Sequence, residues 1–141
     1  MARRSVITLA DTQDFATEFA NSLRPGDVVC FFGGLGAGKT TMIKTMIHTL
    51  SGVPENEITS PTYTYCNSYD KFHHFDLYRI SHEKQFYALG FEEYFTPDTI
   101  CFIEWAERID NCIPENAHRI KITVCPNHRM IDYEAPALSN S

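Results

Sequence analysis

A chain of 141 residues, 43% hydrophobic and 13% aromatic, has the size and apolar content of one compact domain with its own core. Its net charge of -6 leaves no excess of Lys and Arg to grip a phosphate backbone, so work near RNA would need a partner to hold it. No run reaches the length of a membrane span, no signal-peptide pattern opens the chain, and five cysteines without metal-ligand spacing argue against a zinc site or a disulfide framework, so a cytosolic setting is expected.

The elements follow in chain order. Ser5 to Leu9 alternates weakly and predicts a short strand. Asp11 or Thr12 offers an N-cap, and Phe15, Ala16, Phe19, Ala20 and Leu23 recur at helical spacing, which predicts an amphipathic helix from Thr12 to Leu23. Pro25-Gly26-Asp27 is turn chemistry. Val28 to Phe32 is a continuous apolar run of five, the pattern of a strand buried on both faces. A glycine-rich segment follows. Met42, Ile43, Met46, Ile47 and Leu50 then mark a second helix that starts at Lys39 and ends near Gly52.

Ser60 to Tyr65 and His73 to Tyr78 are rich in strand formers, with Asp70-Lys71 as a turn between them. Glu83 to Leu89 predicts a short helix stopped by Gly90. Thr99 to Ile103 is a second buried strand, ended by Glu104, and Arg119 to Val124 with Met130 to Tyr133 predicts a closing hairpin around Pro126-Asn127. Two fully apolar strands among alternating helices indicate a three-layer α/β domain with a mixed, partly parallel sheet flanked by helices. It is expected to span residues 1–134, with 135–141 as a flexible tail.

Gly33 to Thr40 matches G-x-x-x-x-G-K-S/T at every fixed position. Such a match arises by chance in about one chain of this length in 200. Here it also joins a buried strand to a helix, as the chemistry requires. Glycines let backbone N–H groups approach phosphate oxygens, and the helix dipole favours the anion. The Lys39 ammonium would reach the outer phosphates, the Thr40 hydroxyl would ligate magnesium, and Thr41 would donate to an inner phosphate. A phosphate loop also needs carboxylates to hold magnesium and place the attacking water. Glu104, at the end of an apolar strand, fits that place, and Asp76 is the second candidate. The ordinary alternatives are a strand-end surface carboxylate and an edge residue. His73 and His74 are adjacent and point to opposite faces of a strand, so they read as core or surface histidines rather than one metal site. On its residues alone, Ser60 to Thr64 reads as a plain strand.

Four blocks carry a closer resemblance: Gly36-Ala37-Gly38-Lys39-Thr40-Thr41, Ser60-Pro61-Thr62-Tyr63-Thr64, His74-Phe75-Asp76-Leu77-Tyr78-Arg79 and Ile103-Glu104-Trp105. In this order and spacing the chain resembles the TsaE (YjeE) family over roughly residues 5–133. The resemblance implies an ATP-binding and ATP-hydrolysing subunit, magnesium-dependent and weak alone, required for the threonylcarbamoyladenosine modification of tRNA. Its implied partners are the proteins TsaD and TsaB, with tRNA met only indirectly. Lys39, Asp76 and Glu104 would be the catalytic residues. Thr12, Gly33, Gly36, Ala37, Gly38, Lys39, Thr40, Thr41, Ser60, Thr62 and Trp105 would hold the nucleotide, Thr12 by approaching the base. Thr40 and Glu104 would hold magnesium, and Ser60 to Thr64 would act as a nucleotide-sensing switch rather than a strand. The family usually opens the loop with Gly-Asp-Leu-Gly where this chain has Gly33-Gly34-Leu35-Gly36; the change leaves the fixed residues in place and bears on turnover.

Other phosphate-loop classes fit less well. A small-molecule kinase usually needs an arginine-bearing lid, whereas the seven arginines here are scattered. The Asp-x-x-Gly and Asn-Lys-x-Asp elements of GTPases are absent. A non-catalytic nucleotide-dependent scaffold stays open on the residues alone. No arginine lies close to the loop in sequence, although Arg79 or Arg108 could reach it in space, so slow hydrolysis by the isolated chain is expected.

Overall fold

A computed structural model of the chain describes residues 2–34 and 36–136. Most of the expected tail lies outside them. Seven strands form one sheet: β1 (Ala2–Val6), β2 (Val28–Phe32), β3 (Cys66–Tyr69), β4 (Phe72–Asp76), β5 (Ile100–Glu104), β6 (His118–Val124) and β7 (Arg129–Glu134). Their order across the sheet is β1-β7-β6-β2-β5-β4-β3. The middle four, β6, β2, β5 and β4, run parallel, and antiparallel strands close both edges.

The helices α1 (Leu9–Asn21) and α2 (Lys39–Ser51) cover one face. Phe15, Phe19, Met42, Ile43, Met46 and Ile47 pack there against Val29, Phe31, Phe102 and Ile120. The short α3 (Glu83–Ala88) and the 3₁₀ turns Phe91–Tyr94 and Ala106–Cys112 cover the other face. Their Phe86, Phe91 and Ile109 meet Val28, Cys30, Phe75 and Ile103. β2 therefore sends alternate residues into two cores, which explains its unbroken apolar run. The result is a three-layer α/β fold with a mixed sheet.

Three local expectations need correction. The first strand is Ala2–Val6, not Ser5 to Leu9, because Thr8 is already the N-cap of α1. Its hydroxyl accepts from the Asp11 N–H while Asp11 accepts from the Thr8 N–H, so the helix starts three residues before the predicted Thr12. The segment Ser60 to Tyr65 is a loop rather than a strand, and Tyr65 adopts a left-handed φ of 66° just before β3. All five cysteines are free. Among the described residues no helix is long and apolar enough to cross a membrane.

Candidate functional site at the phosphate loop

The parallel strands β2 and β5 end side by side, with Phe31 in register with Glu104. The chain leaving β2 is the glycine loop, and it enters α2 at Gly38, whose φ is +107°. No side chain caps this helix, so its first N–H groups face outward at the end of a 13-residue dipole. Gly33 sits against β6: a Cβ there would lie 2.8 Å from the Ile122 carbonyl, at a φ of +151°. Only glycine lets the loop turn this tightly against its neighbouring strand.

Above the loop lies a cavity of about 550 Å³. The loop itself contributes Gly36, Ala37, Gly38, Lys39, Thr40 and Thr41. The 59–65 loop adds Ser60 and Thr62, the ends of β4 and β5 add Asp76 and Glu104, and Trp105 follows directly after β5. Every residue proposed from sequence is thus gathered here except two. Gly33 stands just beneath, and its carbonyl accepts from the Lys39 ammonium at 2.5 Å. Thr12 is buried in α1, does not line the cavity, and donates its hydroxyl to the Thr8 carbonyl at 3.4 Å.

The polar side chains are tightly interlocked. The Thr40 hydroxyl lies 2.9 Å from both oxygens of the Glu104 carboxylate. Glu104 is 3% exposed and also meets His74 Nε2 at 2.7 Å. His74 is completely buried. On β4, the pleat puts His74 and Asp76 on the same face, and Asp76 is in register with Glu104. Burial pushes the Asp76 carboxyl above its ordinary range, the Tyr78 N–H it accepts at 3.1 Å opposes this, and the Glu104 charge adds to the rise. Burial lowers the Lys39 ammonium, against the pull of Glu104, Glu107 and Asp76.

Trp105 takes a left-handed backbone, φ 60°, unusual for so bulky a residue. That turn lays its ring under the Lys39 ammonium, 3.7 Å away, with the Tyr78 ring at 4.9 Å. Three further residues face the cavity that the sequence reading left out or only mentioned: Tyr78, Arg79 and Arg129. Arg79 lies over the exposed Tyr63 ring at 4.8 Å, and Arg129 donates to the Gly36 carbonyl at 3.2 Å. Arg108 stays outside, beside Trp105 and Tyr78. Among the described residues no cluster of three His, Cys, Asp or Glu could hold a metal ion. A cation here would rest on Thr40, Glu104 and oxygens of a bound anion.

The family model described as "Threonylcarbamoyl adenosine biosynthesis protein TsaE" matches residues 6–131, almost the whole chain. The chain belongs to the TsaE family. Among its relatives is the tRNA threonylcarbamoyladenosine biosynthesis protein TsaE of Rickettsia prowazekii, 36% identical over 125 residues, 86% of this chain and 85% of that protein. The TsaE protein of Treponema pallidum is 36% identical, covering 81% and 85%, and that of Bacillus subtilis is 35% identical, covering 79% and 71%. The crystal structure of Bacillus subtilis YdiB superposes with a TM-score of 0.77 at 29% identity, over 96% of this chain and 86% of that one. The α/β fold with a mixed, partly parallel sheet expected from the strands and helices of the sequence is the fold found.

Proposed function

We propose that this protein binds ATP with magnesium in the cavity above β2 and β5 and hydrolyses it, as the ATPase subunit of an assembly with TsaD and TsaB that forms threonylcarbamoyladenosine in tRNA. The observation that carries the reading is the Thr40–Glu104 pair at 2.9 Å, set beneath the uncapped start of α2 and beside Lys39 and Asp76. A hydroxyl and a carboxylate so placed form the usual magnesium seat of a phosphate-loop site. The curated relatives named above are threonylcarbamoyladenosine biosynthesis proteins, which supports the pathway.

In this reading the N–H groups of Gly36 to Thr41 and the Lys39 ammonium bind the phosphates. Magnesium, when bound, neutralises the charge that develops between the outer phosphates. Thr40 and Glu104 hold it, and His74 holds Glu104 in place. Asp76 orients the attacking water and accepts its proton, a task suited by its raised affinity for protons. Ser60 and Thr62 sense the outermost phosphate from the 59–65 loop. Lys39 and Arg129 both donate to loop carbonyls, those of Gly33 and Gly36. Slow turnover is expected of the isolated chain, as the TsaE resemblance implies.

The test is ATP turnover by the full chain with and without TsaD and TsaB, alongside an assay of modified adenosine in tRNA. Stimulated turnover and restored modification are the expected results. ATP binding with no stimulation and no effect on modification would leave only a nucleotide-binding scaffold. The net charge of -6 predicts no tight tRNA binding by the chain alone in a gel shift at physiological salt.

A further inference from the structure

The β6–β7 hairpin brings an arginine to the phosphate loop from the far end of the chain. β6 runs parallel to β2, so its C-terminal end lies where the glycine loop begins. The hairpin turn closes there, with the Cys125 N–H donating to the His128 carbonyl at 2.8 Å. β7 then starts at Arg129, in register with Val124 of β6 and Val6 of β1. The hairpin is packed hard against the loop, since Gly33 has no room for a Cβ beside the Ile122 carbonyl. Arg129 therefore cannot be far from the phosphates' place. Its Nη2 donates to the Gly36 carbonyl, and its Nη1 lies 3.7 Å from where a Gly38 Cβ would stand. No carboxylate pairs with it among the described residues, although the chain is acidic overall. One of its five N–H donors is used on that carbonyl, and the residue lines the cavity. The other candidates differ. Arg79 also lines the cavity but lies over the exposed Tyr63 ring, and Arg108 does not line it.

We propose that Arg129 is a catalytic residue supplied within the chain, contacting the terminal phosphate of ATP as charge builds on it. The proposal rests on the ATPase reading above. In the step concerned, the water oxygen bonds to the terminal phosphorus while the bond from that phosphorus to its bridging oxygen breaks. ADP leaves with that electron pair, the water proton passes to Asp76 and on to solvent, and orthophosphate is formed. Arg129 leaves the Gly36 carbonyl and offers its planar fork to the phosphoryl oxygens, where a guanidinium is worth most in the transition state.

The experiment compares wild type with Arg129→Ala, Arg129→Lys and the control Arg24→Ala, in the turn before β2 at the opposite end of that strand from the loop. Fluorescence of Trp105, the only tryptophan, reports binding of ATP, of ADP and of ADP with aluminium fluoride, an analogue of the transferring phosphate. Arg129→Ala is expected to keep ATP affinity within about threefold while losing about tenfold or more in both turnover and analogue affinity. Arg129→Lys, which keeps the charge and loses the fork, should recover part of both and covers the case of a misfolded alanine variant. Equal losses for ATP, ADP and the analogue would make Arg129 only a shaper of the loop and overturn the proposal. Unchanged analogue affinity in both variants would also overturn it. A wild-type chain that binds no ATP would instead remove the ATPase reading, and the role of Arg129 with it.

Discussion

The sheet carries a carboxylate–histidine–hydroxyl cluster at each end, and the two do different work. At the C-terminal end of β5, Glu104 joins Thr40 and His74. At the N-terminal ends of β2 and β6, His118 takes Tyr133 on Nδ1 at 2.9 Å and Asp27 on Nε2 at 3.4 Å. The second cluster is satisfied: both ring nitrogens have protein partners, and Asp27 also accepts the Arg24 N–H at 2.8 Å. It ties a turn, β6 and β7 together beside Phe19, whose ring is 5.5 Å from His118. The first cluster is more buried, faces a cavity, and leaves His74 Nδ1 without a protein partner. Similar groups thus close on themselves at one end and stand beside a cavity at the other.

The largest effect should come from the open end. Glu104→Gln keeps a partner for His74 and Thr40 but loses the charge. Turnover should fall by about 100-fold or more while ATP affinity changes far less. Asp76→Ala should behave alike. Normal turnover by Asp76→Ala in a phosphate-release assay would remove Asp76 from the mechanism. The closed end should show the opposite profile. Asp27→Asn should lower stability by about 1 kcal/mol in a denaturant melt and leave turnover per folded molecule unchanged. A loss of turnover there would break the division between the two ends.

A pH series sharpens the same contrast. Burial lowers the pKa of His118, with Asp27 opposing, and lowers that of His73 as well. Below the ordinary value of 6.5 the unfolded chain therefore binds more protons than the folded one. Stability is fully present above that value and is lost as pH falls through it toward the lowered folded values. The melting temperature should drop between about pH 7 and about pH 5, and His118→Gln should flatten part of the drop. Asp76, raised by burial, works in the opposite direction, so a melting temperature that rises on acidification in wild type but not in His118→Gln would mean that Asp27 holds His118 charged.

What was legible in the sequence was what is local. Val28 to Phe32 and the helix from Lys39 appear at their predicted bounds, because an apolar run and glycine punctuation state both ends. The loop lysine and threonine follow from one short motif. The start of α1 was misjudged because Leu9, in its first turn, is 61% exposed and adds nothing to the apolar stripe. Ser60 to Tyr65 has the composition of a strand, but strand propensity describes fit to a sheet surface, and no neighbouring strand receives it. His74 and Arg129 were out of reach for another reason. His74 meets Glu104 only through the parallel register of β4 with β5, and Arg129 meets the loop only because β6 lies beside β2. Such meetings depend on strand order, which no short window of sequence contains. His74 did carry one signal: two residues before Asp76, it had to share that residue's face.

The smallest effect on stability is expected at Gly34, which looks equivalent in sequence to its neighbour Gly33 and is not. Gly33→Ala puts a Cβ 2.8 Å from the Ile122 carbonyl in a left-handed backbone, and should cost on the order of 1–3 kcal/mol and weaken ATP binding. At Gly34 an added Cβ meets nothing within 4 Å among the described residues, its chain neighbours aside. Gly34→Asp, which installs the residue usual in the family, should therefore change stability by less than about 0.5 kcal/mol. Its effect should fall on turnover alone, since a carboxylate there would stand at the loop without displacing Lys39 or Thr40. A thermal melt and a turnover assay on the one variant separate the two quantities. A clear loss of stability would mean that the loop at residue 34 is packed by something the open space around its Cα does not reveal.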